Sequence, residues 1–178
     1  MKRLILLIAL LFQFYFTGFI QAQTKQDFSS LAADAELSLE KGIAFIQSLA
    51  IEGGYVYHYS IDGKEKWGEG KTDDRTVEVQ PPGTPAVGMS FLRAYRIMKN
   101  KEFLNAAENA ANALILGQNE AGGWDHKIYF DRPSGKTVSF DDNQTQSAIS
   151  FLMALDQEID KPSLNESIKR ALDLMLES

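Results

Sequence analysis

No cysteine occurs among the 178 residues. Disulfide staples, thiol nucleophiles and cysteine-ligated metal sites are therefore excluded, and packing alone must hold the fold. Histidine is nearly as scarce. Its two copies, His58 and His126, lack the His-x-x-x-His spacing of a zinc site. Basic runs are missing too: 18 Lys and Arg stand against 24 Asp and Glu, for a formal charge of −6. That excludes nucleic acid as a partner, and an anionic ligand would need a bridging cation or a local basic site. The one long apolar run is "LILLIALLFQFYF", Leu4–Phe16. Gln13 and Gly18 leave it short of the ~20 residues of a membrane span. With "MKR" before it and "TGFIQAQ" after it, it reads as a secretory signal peptide over 1–22, cleaved after Ala22. The remaining 23–178 is expected to be secreted or periplasmic, free of the membrane, and long enough for one domain with a core.

What the chain does have is self-similarity. Residues 84–118 align without a gap on 144–178 at an offset of 60. "SFL" (Ser90–Leu92) meets "SFL" (Ser150–Leu152), "LN" (Leu104–Asn105) meets "LN" (Leu164–Asn165), and Ala111, Leu114 and Leu116 meet Ala171, Leu174 and Leu176. A weaker copy lies upstream, where "GIAFIQSLAIEGGYVYHY" (Gly42–Tyr59) resembles "NALILGQNEAGGWDHKIYF" (Asn112–Phe130). A period of this kind signals stacked supersecondary units. Ser178 falls on Gln118, so the third copy stops where its turn should begin. The chain is accordingly expected to be the truncated N-terminal part of a longer protein.

Each unit reads as two helices. In the first, Thr84 is a candidate cap and Pro85 suits the first turn. Gly88, Phe91, Leu92, Tyr95 and Met98 then recur at helical spacing. "KNKE" (Lys99–Glu102) breaks the pattern before Leu104, Ala107, Ala111, Leu114 and Ile115. In the second unit, Asp142 or Asn143 can cap a helix with Ala148, Phe151, Leu152 and Leu155 inward. "DKP" breaks it, and Ser163 with Glu166 forms a capping box ahead of Leu164, Ile168, Leu172 and Met175. An earlier helix covers roughly 28–50. Gly-Gly pairs end the hairpins because glycine alone adopts positive φ at little cost. The expected class is all-α: an incomplete (α/α) toroid of helical hairpins joined by Gly-Gly-aromatic turns.

Three segments carry a family resemblance: "NEAGGWDHKIYF", "KTVSFDDNQTQSAISFLMAL" (Lys136–Leu155) and "RTVEVQPPGTPAVGMSFLRAY" (Arg75–Tyr95). Together they resemble the pectate lyases of polysaccharide lyase family ten over about residues 42–178. The resemblance implies calcium-assisted β-elimination on polygalacturonate or a related uronic-acid polymer, an acidic plant polysaccharide. The cation would stabilise charge developing as a weakly acidic C5 proton is removed. Asp141, Asp142 and Asn143 fall on the family's Asn-Asp-Asp segment and would supply hard oxygen ligands for calcium. A second calcium aspartate falls at Val79–Gln80, where no acid stands. The family's catalytic arginine lies in a segment beyond Ser178, so no catalytic residue is assigned.

The residues offer their own readings. Carboxylates at Asp141–Asp142 also suit a helix N-terminus. Arg75 and Arg132 could each clamp a uronate carboxylate with two hydrogen bonds. Tyr57, Trp67 and Trp124 belong to a dense group of joint aromatics, with faces suited to stacking on sugar rings; Trp124 reads first as packing back over its turn, Tyr57 or Trp67 as stacking. Asp73 and Asp74 form an acidic pair in a glycine-rich loop. Two other functions compete with the lyase. One is a carbohydrate-binding toroid without catalysis. The other is a terpenoid-cyclase-like toroid, since "QNEAGGW" fits a Gln-x-x-x-Gly-x-Trp pattern; the Asp-x-Asp-Asp acid motif of such enzymes is missing.

Overall fold

The computed structural model describes residues 28–177, so the signal-peptide reading lies outside the described residues. The chain divides into two units, Met1–Ala44 and Phe45–Ser178. The described part of the first is helical, within a helix α1 that runs over 28–48, and its side chains are mostly exposed, Phe28, Leu31 and Leu37 among them.

The second unit is mostly helical with a few short strands. In order it contains β1 (His58–Tyr59), β2 (Lys66–Trp67), β3 (Thr76–Glu78), α2 (Thr84–Met98), α3 (Lys101–Gly117), β4 (Lys127–Tyr129), a single 3-10 turn (Asp141–Asn143), α4 (Gln144–Asp156) and α5 (Pro162–Glu177). β1 and β2 pair antiparallel, His58 opposite Trp67. β3 and β4 pair antiparallel with Thr76, Val77 and Glu78 opposite Tyr129, Ile128 and Lys127. This second ladder ties the approach to α2 to the segment leaving Gly122–Gly123. In the sequence that segment offered only a strand-like or coil crossing.

Local chemistry explains the helix ends. Pro85 sits in the first turn of α2, where its fixed φ and missing N–H cost nothing. Gly83, rather than Thr84, is the cap residue and offers no side chain. Lys99 ends α2 in the left-handed region at φ 55, its N–H closing on Tyr95 O, with its ammonium 5.1 Å from the Tyr95 ring centre. Asn100 then caps α3 by accepting from the N–H of Glu102 at 2.9 Å.

Consecutive helices α2 and α3 pack together, as do α4 and α5, and α2 also meets α4. The face of α3 is built from Ala106, Ala107, Ala110, Ala111 and Ala113, which permit close helix approach. α4 buries Ala148, Phe151, Leu152 and Leu155 completely, as the spacing predicts. A Cβ on Gly88 would lie 2.4 Å from the Phe151 ring, so that aromatic needs a glycine opposite it. Arg96 fastens the C-terminal ends of α2 and α4, donating to Glu158 Oε1 at 2.8 Å and to the Ala154 carbonyl at 2.9 Å.

The repeat is real at the joints, but its register differs from the gap-free alignment. Thr84 Oγ1 accepts from the N–H of Tyr55 and donates to its carbonyl; Thr145 does the same for Trp124. Gly54 faces Val77, and Gly123 faces Val138. Gly53 abuts the carbonyl of Asn109, and Gly122 that of Arg170. The partners are 61 positions apart in every case (77 and 138, 84 and 145, 109 and 170). The same shift explains α5. Leu164, Ser167 and Ala171 are buried, the counterparts of buried Phe103, Ala106 and Ala110, whereas Leu172 and Met175, read as inward, are exposed. Identical tripeptides on helix faces drew the alignment one residue off the contacts that define the unit.

Candidate functional site

β3 enters the core with a charged residue. Glu78 is fully buried because its strand position points its side chain beneath the Gly68–Gly70 loop; a Cβ on Gly68 would overlap the carboxylate. Its Oε1 accepts from the N–H of Glu69 at 3.1 Å and lies 3.3 Å from Lys127 Nζ. Lys127 is its cross-strand partner, and same-face pairs of opposite charge are favourable. The second oxygen, Oε2, has no protein partner. Burial pushes the carboxyl above the usual glutamate range, and Lys127 pulls it part of the way back.

Tyr57 Oη and Gln144 Oε1 are likewise buried without a partner within the chain. Burial raises the Tyr57 phenol pKa, and the charges of Glu78, Glu69 and Asp142 raise it further. Gln144, fully buried at the start of α4, has Nε2 2.5 Å from His126 Nδ1 and 3.3 Å from Gln80 Oε1. His126 Nδ1 in turn lies 3.6 Å from Glu69 Oε2. Five segments thus converge on one polar patch. Buried polar groups are nearly always paired, and these three side-chain atoms have no partner within the chain.

Lys127 joins this patch to a surface depression of about 200 Å³ whose lining includes Asn119, Asp125, Tyr129, Arg132 and Ser134. The Arg132 guanidinium carbon sits 4.0 Å from the Tyr129 ring centre, and Nε lies 3.3 Å from Asp131. Arg75 is exposed, and its carbonyl accepts from the N–H of Phe130 at 2.8 Å, so the two arginines stand on neighbouring segments. Trp67 is 44% exposed and stacks on His58 at 5.4 Å, with Tyr57 edge-on to the same imidazole. The structure therefore places Arg132, Lys127 and Tyr129 together, and Tyr57 beside Trp67 through His58.

Two expectations change. Trp124 is fully buried, and its indole N–H donates to the Leu114 carbonyl at 2.8 Å. It has no face to offer a sugar and serves the joint instead. Asn143 is the cap residue of α4, yet no side chain caps the helix. Asp142 and Asn143 both adopt positive φ, 44° and 62°, a conformation that Asn and Asp tolerate better than most residues. The preceding turn is held by the N–H of Asp141 donating to Ser139 Oγ and that of Asp142 to Asp141 Oδ1.

Asp141, Asp142 and Asn143 are all exposed and supply hard oxygens from adjacent residues of a single turn. Among the described residues no three His, Cys, Asp or Glu side chains are grouped as a metal ion would require, and Glu78 is already paired with Lys127. Asp141–Asn143 bring two carboxylates and one amide oxygen to the surface of this turn. The second acid sought at Val79–Gln80 has a neighbour in Glu78, one position upstream. Sequence reading missed it, although an acid between Val77 and Val79 in a strand-like run was the available signal. Gln144 was missed as well, being read only as part of a helix start. Gln118, of the cyclase-like pattern, donates to the carbonyls of Gly122 at 2.7 Å and Ser167 at 2.9 Å, which accounts for that pattern as joint scaffolding.

The fold is mostly helical, and its likeness to solved structures is distant. In particular, it is similar to a solved structure of a family 10 polysaccharide lyase from Cellvibrio cellulosa, with 17% identity and a TM-score of 0.50 over 69% of this chain. A mutant of that lyase in complex with trigalacturonic acid aligns with a TM-score of 0.49 and 17% identity. The chain spans only 39% and 40% of those two structures. No protein-family model matches the chain, and no curated protein does. Among the described residues no helix is long and apolar enough to cross a membrane.

Proposed function

We propose that the chain is an exported carbohydrate-binding module, part of an (α/α) toroid, that takes an acidic polysaccharide of the polygalacturonate type. The observation that carries this reading is the depression lined by Lys127, Tyr129 and Arg132, with the Arg132 guanidinium carbon 4.0 Å from the Tyr129 ring centre. A uronate carboxylate matches a guanidinium fork. A sugar face matches an exposed aromatic ring. The Cellvibrio lyase fold supports the architecture.

The lyase reading stands beside it. It rests on the sequence resemblance, with calcium at Asp141–Asn143 as the ion that resemblance implies. Both readings are tested by titrating the protein with oligogalacturonates by calorimetry, with and without calcium, while following ultraviolet absorbance for unsaturated products. Binding that persists in chelator and falls at least about tenfold in Arg132→Ala supports the binding module. Chelator-sensitive product formation moves the conclusion to a lyase. Absence of both binding and product, with calcium present, overturns the proposal.

A further inference from the structure

Lys127 belongs to two neighbourhoods at once. It lines the depression that holds Arg132 and Tyr129, yet its ammonium is already engaged. Nζ lies 3.3 Å from Glu78 Oε1 and donates to the Glu69 carbonyl at 3.0 Å. Only 17% of the lysine side chain is exposed, and none of the glutamate's. The strand ladder fixes this pairing, since Glu78 and Lys127 stand opposite each other in β3 and β4. A buried carboxylate stripped of its counter-ion is strongly unfavourable, so a ligand draws this ammonium away only against that penalty.

What the depression has left for an anion is Arg132. Its Nε lies 3.3 Å from Asp131 Oδ1, and a guanidinium carries further donors for a ligand. Asp125 adds a carboxylate to the lining. One uronate carboxylate can thus be matched by one fork. A second, on the next sugar along, would find Lys127 occupied and would share the depression with a like charge.

We infer that Glu78 is a specificity-determining residue of this depression: by holding the Lys127 ammonium it leaves Arg132 as the cation for a ligand, so that a uronate flanked by uncharged sugars is preferred to consecutive uronates. The inference rests on the carbohydrate reading above and narrows its ligand to a sparsely charged stretch of polymer, such as one whose neighbouring carboxyls are esterified. Specificity is a difference of affinities, and here it comes from a cation withheld. Glu78 acts through Lys127 and does not itself touch the ligand.

The test compares two probes by calorimetry in chelator: trigalacturonate, with three free carboxylates, and its derivative methyl-esterified on both outer sugars, with one. The parent protein is expected to bind the diester at least about threefold more tightly. Glu78→Gln keeps the side-chain shape, removes the counter-charge and releases Lys127, so trigalacturonate should gain about tenfold and the preference should reverse. Adding Lys127→Met to Glu78→Gln leaves no charge of this pair and should restore the parent's preference. On the protein alone, acylation of Lys127 read by mass spectrometry should run at least about tenfold faster in Glu78→Gln, with the exposed Lys64 unchanged as reference; a merely structural role for Glu78 would not single out that lysine. Equal labelling of Lys127 in the two proteins, a parent preference for trigalacturonate, or an unchanged preference in Glu78→Gln overturns the inference and leaves the carbohydrate reading in place. Failure of the parent to bind either probe overturns the binding-module reading and this inference with it.

Discussion

Set side by side, the two joints divide labour between backbone and side chain. Both seat a glycine of positive φ on a helix carbonyl, press the next glycine on a valine, and tether the following aromatic by a threonine hydroxyl. What differs is what fills the space around them: Tyr55 and a hollow in one, Trp124 and Arg170 in the other. Backbone contacts set the corner geometry, which leaves side chains free to specialise each corner.

The largest blow to this comparison should come from Trp124→Ala. Losing a fully buried indole costs about 3–5 kcal/mol, read as a fall in the urea midpoint. Trp124→Phe keeps most of the packing but orphans the Leu114 carbonyl, costing about 1–3 kcal/mol. Next come the glycines. Gly53→Ala and Gly122→Ala would each force a Cβ toward a helix carbonyl, at 2.3 and 2.5 Å, at a φ that strains any other residue. Each should lose about 1–3 kcal/mol, and a null effect at either would break the equivalence. Smaller again is Arg170→Asn, about 1–2 kcal/mol for its hydrogen bonds, against less than about 0.5 kcal/mol for Asn109→Ala.

The smallest and most diagnostic effect concerns pH. Glu78 has its carboxyl raised, chiefly by burial, so the folded state holds that proton more tightly than the unfolded chain. Its contribution is therefore unfavourable once pH rises above the ordinary glutamate value, and it grows until the raised value is passed. Asp73 is the opposite case. The Thr76 hydroxyl, then the Arg75 N–H, lower its pKa, so its stabilisation is present above the ordinary aspartate value and is lost as pH falls through the lowered one. Thermal melts from pH 3 to 8 should show Glu78→Gln gaining Tm relative to the parent on the neutral side. Asp73→Asn should lose Tm there and converge with the parent in acid.

Helices, their breaks and the diglycine corners were legible because each has a local cause: apolar spacing, a capping asparagine, a φ that glycine tolerates. The polar patch was not. Glu78 meets Lys127 only through a strand ladder joining residues about 50 apart, and its burial depends on a loop that folds back over it. Register was lost for a related reason. The "SFL" tripeptides match by identity, whereas Thr84 and Thr145 match by what they hold, which a single sequence does not display. Arg132 was visible as a candidate, and its stacking on Tyr129, three residues upstream, was not.

The clamp on the second corner comes from far downstream: Gln118 reaches the Ser167 carbonyl, and Arg170 reaches back to Asn119. Those two contacts form only once the following helix pair has docked, so this part of the corner closes last. Protease nicking between Asn119 and Gly122 on stalled nascent chains would report that order directly.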